Sequence, residues 1–223
     1  MIEYNIISTG SEGNATIINK NILIDCGVPF KALKDYYKEL KIILLTHCHS
    51  DHLCRSTIRR IATERPTVRW VCGKWLVDIL LKCNVNAKNI DILEPGIQYS
   101  YGLFSVIPVF LKHNVPNCGY KILLKSGEKI FYATDCNNLD GISCRGYDLY
   151  LVEANYEEAE IHDRIKQKRL DGEYAYETQV LQSHLSKEKC NDFLYKNMKS
   201  TSKYVYMHTH REKTQNEGVL VDS

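Results

Sequence analysis

Residues 44–55 read LLTHCHSDHLCR and set His47, His49, Asp51 and His52 side by side, directly after an apolar run. On an extended or turning backbone, positions 47, 49 and 51 point to one side, because side chains alternate with period two. His47 and His49 can then converge on one cation, while Asp51 and His52, at the following turn, face a second. Imidazole and carboxylate are the ligands zinc takes at about 2 Å. The chain has only eight histidines, so this density argues for a metal loop rather than for unrelated surface residues. Four donors leave a two-metal site short. The further donors expected are His113 after VFLK, Asp135 at the end of IFYATD and His208 at the end of KYVYM, each where an apolar run stops.

The elements that must carry these donors are short. EYNIIS, ATIIN and NILID read as strands, with a hairpin turn at Asn19-Lys20-Asn21. KIILLT is an apolar run of strand length, the pattern of a strand buried on both faces. Helices are expected from Cys54 to Glu64 and from Lys74 to Lys82, with TVRWVC a strand between them. LFSVIPVFL, GYKILLKS, EKIFYATD and YDLYLVEAN follow as strands, with a turn at Ser126-Gly127. Helices from Glu157 to Leu170 and from Ser186 to Lys199 precede a last strand, KYVYM, and Ser186 is a suitable N-cap. No repeat, low-complexity tract or Pro/Gly-rich linker interrupts the pattern, so residues 1–223 read as one α/β domain.

Composition narrows the class. With 223 residues, 44% hydrophobic and 25% charged, the chain can bury a sizeable core. It has no apolar run of about 18 residues, and MIEYNIISTG lacks the basic start and apolar core of a signal peptide. Nine scattered cysteines without a CxxC pair argue against a disulfide framework and a zinc ribbon, and place the chain in a reducing cytoplasm. The net charge of +2 selects no partner.

THCHSDH, together with His113, Asp135 and His208, resembles the metallo-β-lactamase superfamily of metal-dependent hydrolases over almost the whole chain. STGSEGNATIINKNILIDCG, LVEANY and SHLSKE are similar to the WalJ/YycJ branch, which carries a Gly-Ser-x-Gly-Asn turn, an Ile-Asp-x-Gly strand end and a Gly-His-Leu-Ser motif. The chain departs from that branch at Ser183, where glycine is expected, and at HTHRE, where His-Leu-Ser is usual. The resemblance implies a four-layer αββα sandwich with two divalent ions, zinc first and manganese second, at one edge between the sheets. His47, His49 and His113 would hold one ion; Asp51, His52 and His208 would hold the other, with Asp135 bridging. His210 is the alternative to His208, and Asp25 in ILIDCG is expected to orient a ligand histidine.

The same resemblance excludes relatives. Diiron members that reduce oxygen or nitric oxide carry glutamate at the second ligand position, where this chain has His49. Only residues 136–183 lie between Asp135 and His184, too few for an inserted nucleic-acid domain, and only residues 209–223 follow His208, too few for a helical substrate domain. A minimal hydrolase without membrane attachment is expected.

Two divalent ions about 3.5–4 Å apart lower the pKa of a bridging water and hold hydroxide ready at neutral pH. They also offset charge on a phosphoryl oxygen. The catalytic residues expected are Asp51, His184 as general acid, and Glu153 to hold the second ring nitrogen of His184, a pairing similar to that of transfer-RNA 3′-processing ribonucleases. Ser11 and Asn14, in the N-terminal turn, and Asn155, in LVEANY, are the expected substrate contacts. Basic residues on the helices after the metal loop (Arg55, Arg59, Arg60) and after Glu153 (Arg164, Lys166, Lys168, Arg169) could meet phosphates. Tyr120, Tyr156, Tyr174 and Tyr176 could stack bases, and His162 reads as plain surface. The leading function is phosphodiester hydrolysis of nucleic acid, with an exonuclease in view. The alternatives are a cyclic-nucleotide phosphodiesterase of the kind phages encode, acting as a homodimer if the pocket needs a partner to close it, and a metal-dependent sensor without turnover.

Overall fold

A computed structural model describes residues 2–209. Two six-stranded sheets follow one another in the chain. The first contains β1 (Tyr4–Ser8), β2 (Ala15–Ile18), β3 (Ile22–Ile24), β4 (Ile42–Leu44), β5 (Arg69–Cys72) and β6 (Ile90–Ile92), ordered as in sequence. The second contains β7 (Tyr99–Ser100), β8 (Phe104–Leu111), β9 (Asn117–Leu124), β10 (Lys129–Ala133), β11 (Leu149–Glu153) and β12 (Lys203–Met207). Each sheet joins an antiparallel part to a parallel part. Strands β3 to β6 and β10 to β12 run parallel, and helical segments provide the crossovers that parallel pairing requires, except from β10 to β11, where the irregular segment 134–148 does so.

Strict alternation of apolar side chains explains the layering. In β3, Ile22 and Ile24 face the second sheet while Leu23 faces the helices; β4 and β5 repeat the pattern with Leu44 and Val71 inward and Ile43 and Trp70 outward. In the second sheet Ile130, Tyr132, Leu149 and Leu151 meet the first, while Phe131, Ala133, Tyr150 and Val152 meet the opposite helical layer. Strands apolar on both faces must be covered on both. α1 (Arg55–Glu64) and α2 (Val77–Lys82) cover the first sheet, and α5 (Lys187–Asn197) covers the second. The result is the expected αββα sandwich. α3 (Glu158–Leu170) and α4 (Glu177–Ser183) close a separate small cluster around Ile161, Ile165 and Ala175.

Several boundaries differ from the sequence reading. Lys74–Leu76 forms a 3-10 turn before α2 begins, and Cys54 is the N-cap of α1 rather than its first residue. β6, β7 and α4 are too short for periodicity to reveal. Ser186 does cap α5, its hydroxyl accepting from the Lys189 N–H at 3.1 Å. The hairpin at Asn19-Lys20 takes positive φ at both residues, 46° and 63°, as a tight turn matching strand twist requires. No helix among the described residues is long and apolar enough to cross a membrane.

One glycine ties the fold to the loop that follows β4. A Cβ on Gly27 would lie 1.7 Å from the Asp51 carbonyl oxygen and 2.7 Å from the His52 nitrogen, so the two backbones approach as only glycine permits. Gly27→Ala should lower the unfolding free energy in urea by about 3 kcal/mol or more, at the upper end of what overpacking costs; an unchanged midpoint and slope would contradict this contact.

Candidate metal centre

The donors collect where strands end. β3, β4, β10, β11 and β12 run parallel within their sheets, and Asp25, His47, Asp135, Glu153 and His208 lie at or just beyond their C-terminal ends. β8 is antiparallel to β9, which is antiparallel to β10, so β8 runs with β10 and delivers His113 to the same edge. Three of these ends share a backbone feature. Asp25, Asp135 and His208 take left-handed conformations, φ 58°, 57° and 50°, which turn each side chain back over the sheet edge. Aspartate and histidine are among the few non-glycine types that adopt this region readily, and it concentrates at functional sites.

His47, His49 and His113 form one group, with donor atoms all within 4.8 Å of one another. His47 Nε2 lies 3.1 Å from His49 Nδ1, which lies 3.3 Å from His113 Nε2. The far nitrogens fix the tautomers. His113 Nδ1 donates to the Ser183 carbonyl at 2.9 Å, so its Nε2 is left with a lone pair. His47 Nδ1 lies 2.9 Å from the Thr46 hydroxyl, and that hydroxyl is committed as donor to Asp25 at 3.0 Å, so His47 Nε2 is also unprotonated. Burial keeps both rings neutral, lowering the His47 pKa strongly, with His52 adding to the effect, and that of His113 to about 4. Two imidazoles thus turn lone pairs on one small space beside His49 Nδ1, an arrangement that a cation relieves.

Asp51, His52 and His208 form a second group, and Asp135 joins it to the first. Asp135 Oδ1 lies 3.9 Å from His113 Nε2 and 3.6 Å from His208 Nε2. Asp135 Oδ2 is buried 2.8 Å from His52 Nε2 yet accepts no hydrogen bond. The other nitrogen of His52 is bound to Asp25 at 2.7 Å, so only an added proton or a metal ion reconciles His52 with Asp135. Burial opposes protonation of His52, but Asp135 and Asp25 outweigh it and raise its pKa well above the usual value. Burial likewise works against the ionised Asp135, and His52 still holds it well below the carboxylate range. An orphaned carboxylate oxygen among imidazoles fits a divalent cation.

Supporting residues fix the donors from behind. Asp25 accepts from the Thr46 N–H at 2.9 Å as well as binding His52. Asn117 donates to the Thr134 and Asp135 carbonyls at 3.0 and 2.6 Å, pinning the turn that presents Asp135. The sequence reading missed Thr46 and Asn117, although Thr46 is legible as the one polar residue between LL and the histidines.

His184 lies beside the cluster, its Nδ1 2.6 Å from Glu153 Oε1. Burial alone would lower the His184 pKa, but the Glu153 carboxylate raises it above the usual value. Glu153 Oε2 accepts the Cys136 and Leu185 N–H groups at 2.9 and 3.2 Å, so the carboxylate cannot turn away.

The expected substrate contacts behave differently. Asn14 is buried, and its amide exchanges bonds with Gly10 at 2.9 and 3.0 Å while reaching Asp51 Oδ2 at 3.4 Å and His52 Nε2 at 2.8 Å; it clamps the N-terminal turn to the metal loop. The Asn155 amide nitrogen is taken up by His208, at 3.0 Å from Nδ1 and 2.9 Å from the carbonyl oxygen. Ser11 is exposed, and no hydrogen bond joins it to the cluster among the described residues. Tyr120 is fully buried with its hydroxyl on the Leu45 carbonyl, so it cannot stack a base. His162 is exposed, as expected, and His210 lies outside the described residues.

A family model described as a beta-lactamase superfamily domain matches residues 20–190. The chain belongs to this superfamily. Among solved structures it is similar to the metallo-beta-lactamase fold protein YhfI from Bacillus subtilis, with TM-score 0.69 and 14% identity over 93% of this chain and 86% of that one. The short form of human tRNase Z gives TM-score 0.70 and 17% identity over 94% and 92%. A diphosphatase from the PhnP family gives TM-score 0.64 and 14% identity over 94% and 87%. At these identities the likeness is one of fold. No curated protein matches the chain in sequence.

A cation that relieves these donors must stabilise the folded chain. Zinc at a hundredfold excess over its dissociation constant should add about 2.7 kcal/mol, which raises the melting temperature by roughly 5–10 °C for a chain of this size. A melting temperature that ignores both zinc and chelator would mean that the cluster does not bind metal.

Proposed function

We propose that this chain is a dinuclear-metal phosphodiester hydrolase acting on nucleic acid or nucleotides. The observation that carries the reading is the convergence of seven donor side chains beside a histidine already held on a buried glutamate. His47, His49 and His113 would hold one divalent cation, Asp51, His52 and His208 the other, with Asp135 shared between them. Zinc suits this imidazole-rich set, and manganese is the second choice. Bound there, two cations supply an activated water at neutral pH and offset the charge that develops on phosphoryl oxygens.

The remaining chemistry belongs to the chain. His184 is the general acid: Glu153 occupies its Nδ1, which leaves Nε2 for the oxygen of the leaving alkoxide. The Glu153 carboxylate raises the His184 pKa and so favours the protonated ring. Asp25 and Asn155 set the rings of His52 and His208, and Asn14 holds the loop that carries Asp51. The likeness to a tRNase Z and to a diphosphatase supports phosphorus–oxygen bonds as the target. The Gly10–Asn14 turn, which here has a positioning job at Asp51, supports a place in the WalJ/YycJ-like branch. All nine cysteines are free thiols, the state a reducing cytoplasm maintains, which supports that location.

One observation favours small nucleotides alongside polymers. The basic helices expected to grip a polyanion are partly neutralised, since Arg60 pairs with Glu64, Arg164 with Glu160 and Lys168 with Glu177. An assay panel of bis-p-nitrophenyl phosphate, labelled DNA and RNA, and cyclic nucleotides, combined with elemental analysis, separates the substrate classes. Asp135→Ala should abolish hydrolysis throughout the panel; persistent activity would refute the site. His184→Ala should lower kcat on nucleotide substrates by about 10²–10⁴, the usual worth of a general acid. The loss should be far smaller on bis-p-nitrophenyl phosphate, whose leaving anion needs no proton, and equal losses on both would remove His184 from that role.

A further inference from the structure

A cavity of about 270 Å³ opens between α3, α4 and the ends of β11 and β12. Its walls include the rings of Tyr156, Tyr176 and Tyr206 with Ile161 and Val180. None of these belongs to the metal cluster, but the cavity reaches it. Asn155, whose amide nitrogen lies 3.0 Å from His208 Nδ1, is part of the wall, and Thr209 is another part.

The charge pattern says what fits. At the rim, Lys187 Nζ lies 2.6 Å from Glu157 Oε1 and Arg164 Nη2 lies 3.6 Å from Glu160 Oε2, so cationic and anionic groups offset each other there. The aromatic walls therefore face an uncharged, flat occupant, and a phosphate would find its partners at the metal cluster. One lysine organises the recognition end. Lys168 Nζ sits 4.1 Å from the centre of the Tyr176 ring and 2.6 Å from Glu177 Oε1, fixing ring and carboxylate together. Glu177 is only 3% exposed, and its Oε2 has no hydrogen-bond partner. A buried carboxylate oxygen of this kind lacks a donor, and Glu177 is part of the cavity wall.

We propose that this cavity is a nucleobase pocket, in which tyrosines stack the base and Glu177 accepts from its N–H edge while the attached phosphate lies at the metal cluster. Guanine, with its ring N–H beside an amino group, matches a carboxylate best; uracil, whose single N–H is flanked by two carbonyls, matches it least. In its phosphate half the proposal rests on the phosphodiester reading; its base half does not.

The test compares guanosine 5′-monophosphate, uridine 5′-monophosphate and ribose 5-phosphate by calorimetric titration, with metal and again with chelator. Stacking makes the guanosine nucleotide bind roughly tenfold to a hundredfold more tightly than ribose 5-phosphate, and the uridine nucleotide should gain less. The ratio survives chelation, because both ligands lose the same phosphate contact; a failure of diester hydrolysis alone therefore leaves this measurement readable. Tyr176→Ala and Tyr206→Ala should bring the ratio towards one, and Tyr176→Phe should keep it. Tyr176 is 44% exposed, so its truncation leaves the core intact. A ratio near one in the unaltered protein, a ratio preserved in both alanine variants, or uridine binding as tightly as guanosine would overturn the proposal.

Discussion

Everything at the active edge follows from an electrostatic conflict. Imidazole nitrogens with fixed lone pairs and an orphaned carboxylate oxygen are held within a few ångströms of one another by bonds to their far sides. Left alone, such a cluster is costly, because buried acceptors without donors lose hydration and gain nothing. The chain maintains the conflict with supports that have no chemical role of their own. Asp25, Thr46, Asn117 and Asn155 commit the outward nitrogens and turns, and Gly27 lets the metal loop lie against the first sheet. The apolar alternation of the strands is what makes those supports rigid, since both faces of each sheet are packed.

Placing the site at strand ends resolves a competition between core and chemistry. Inside the sandwich a charged group would face apolar side chains on both sides. At the edge, backbone groups left over where strands and helices end are free to serve the site, as the Ser183 carbonyl at the end of α4 does for His113 and the Cys136 N–H beyond β10 does for Glu153. The parallel strands also aim in one direction, so donors far apart in sequence arrive at one place without a long excursion of chain.

Much of this was legible from residue types. The metal loop and the distant donors His113, Asp135 and His208 stand where apolar runs stop, while the four layers were implied by the family resemblance and the His184–Glu153 pair by the motifs LVEANY and SHLSKE. What stayed hidden was direction. Nothing in a sequence says whether an asparagine beside a site faces a ligand or its neighbours, and Asn14 and Asn155 both face inward. Tyr120 looked available for stacking but occupies the shared core between the sheets, since its register against Pro108 and Tyr132 points it there. The aromatic cavity depends on α4, a seven-residue helix with no periodicity to announce it.

The left-handed turns at Asp135 and His208 also restrict how such a centre can evolve. Besides glycine, only asparagine, aspartate and histidine enter that backbone region cheaply, so a thiolate or a longer carboxylate at either corner would bring conformational strain with it. Drift towards softer or differently sized ions is thus channelled into residues 47–52 and His113, whose conformations impose no such filter. Two corners of the centre are conservative by geometry, and adaptation to a new metal supply is left to one short loop and a single histidine beyond it.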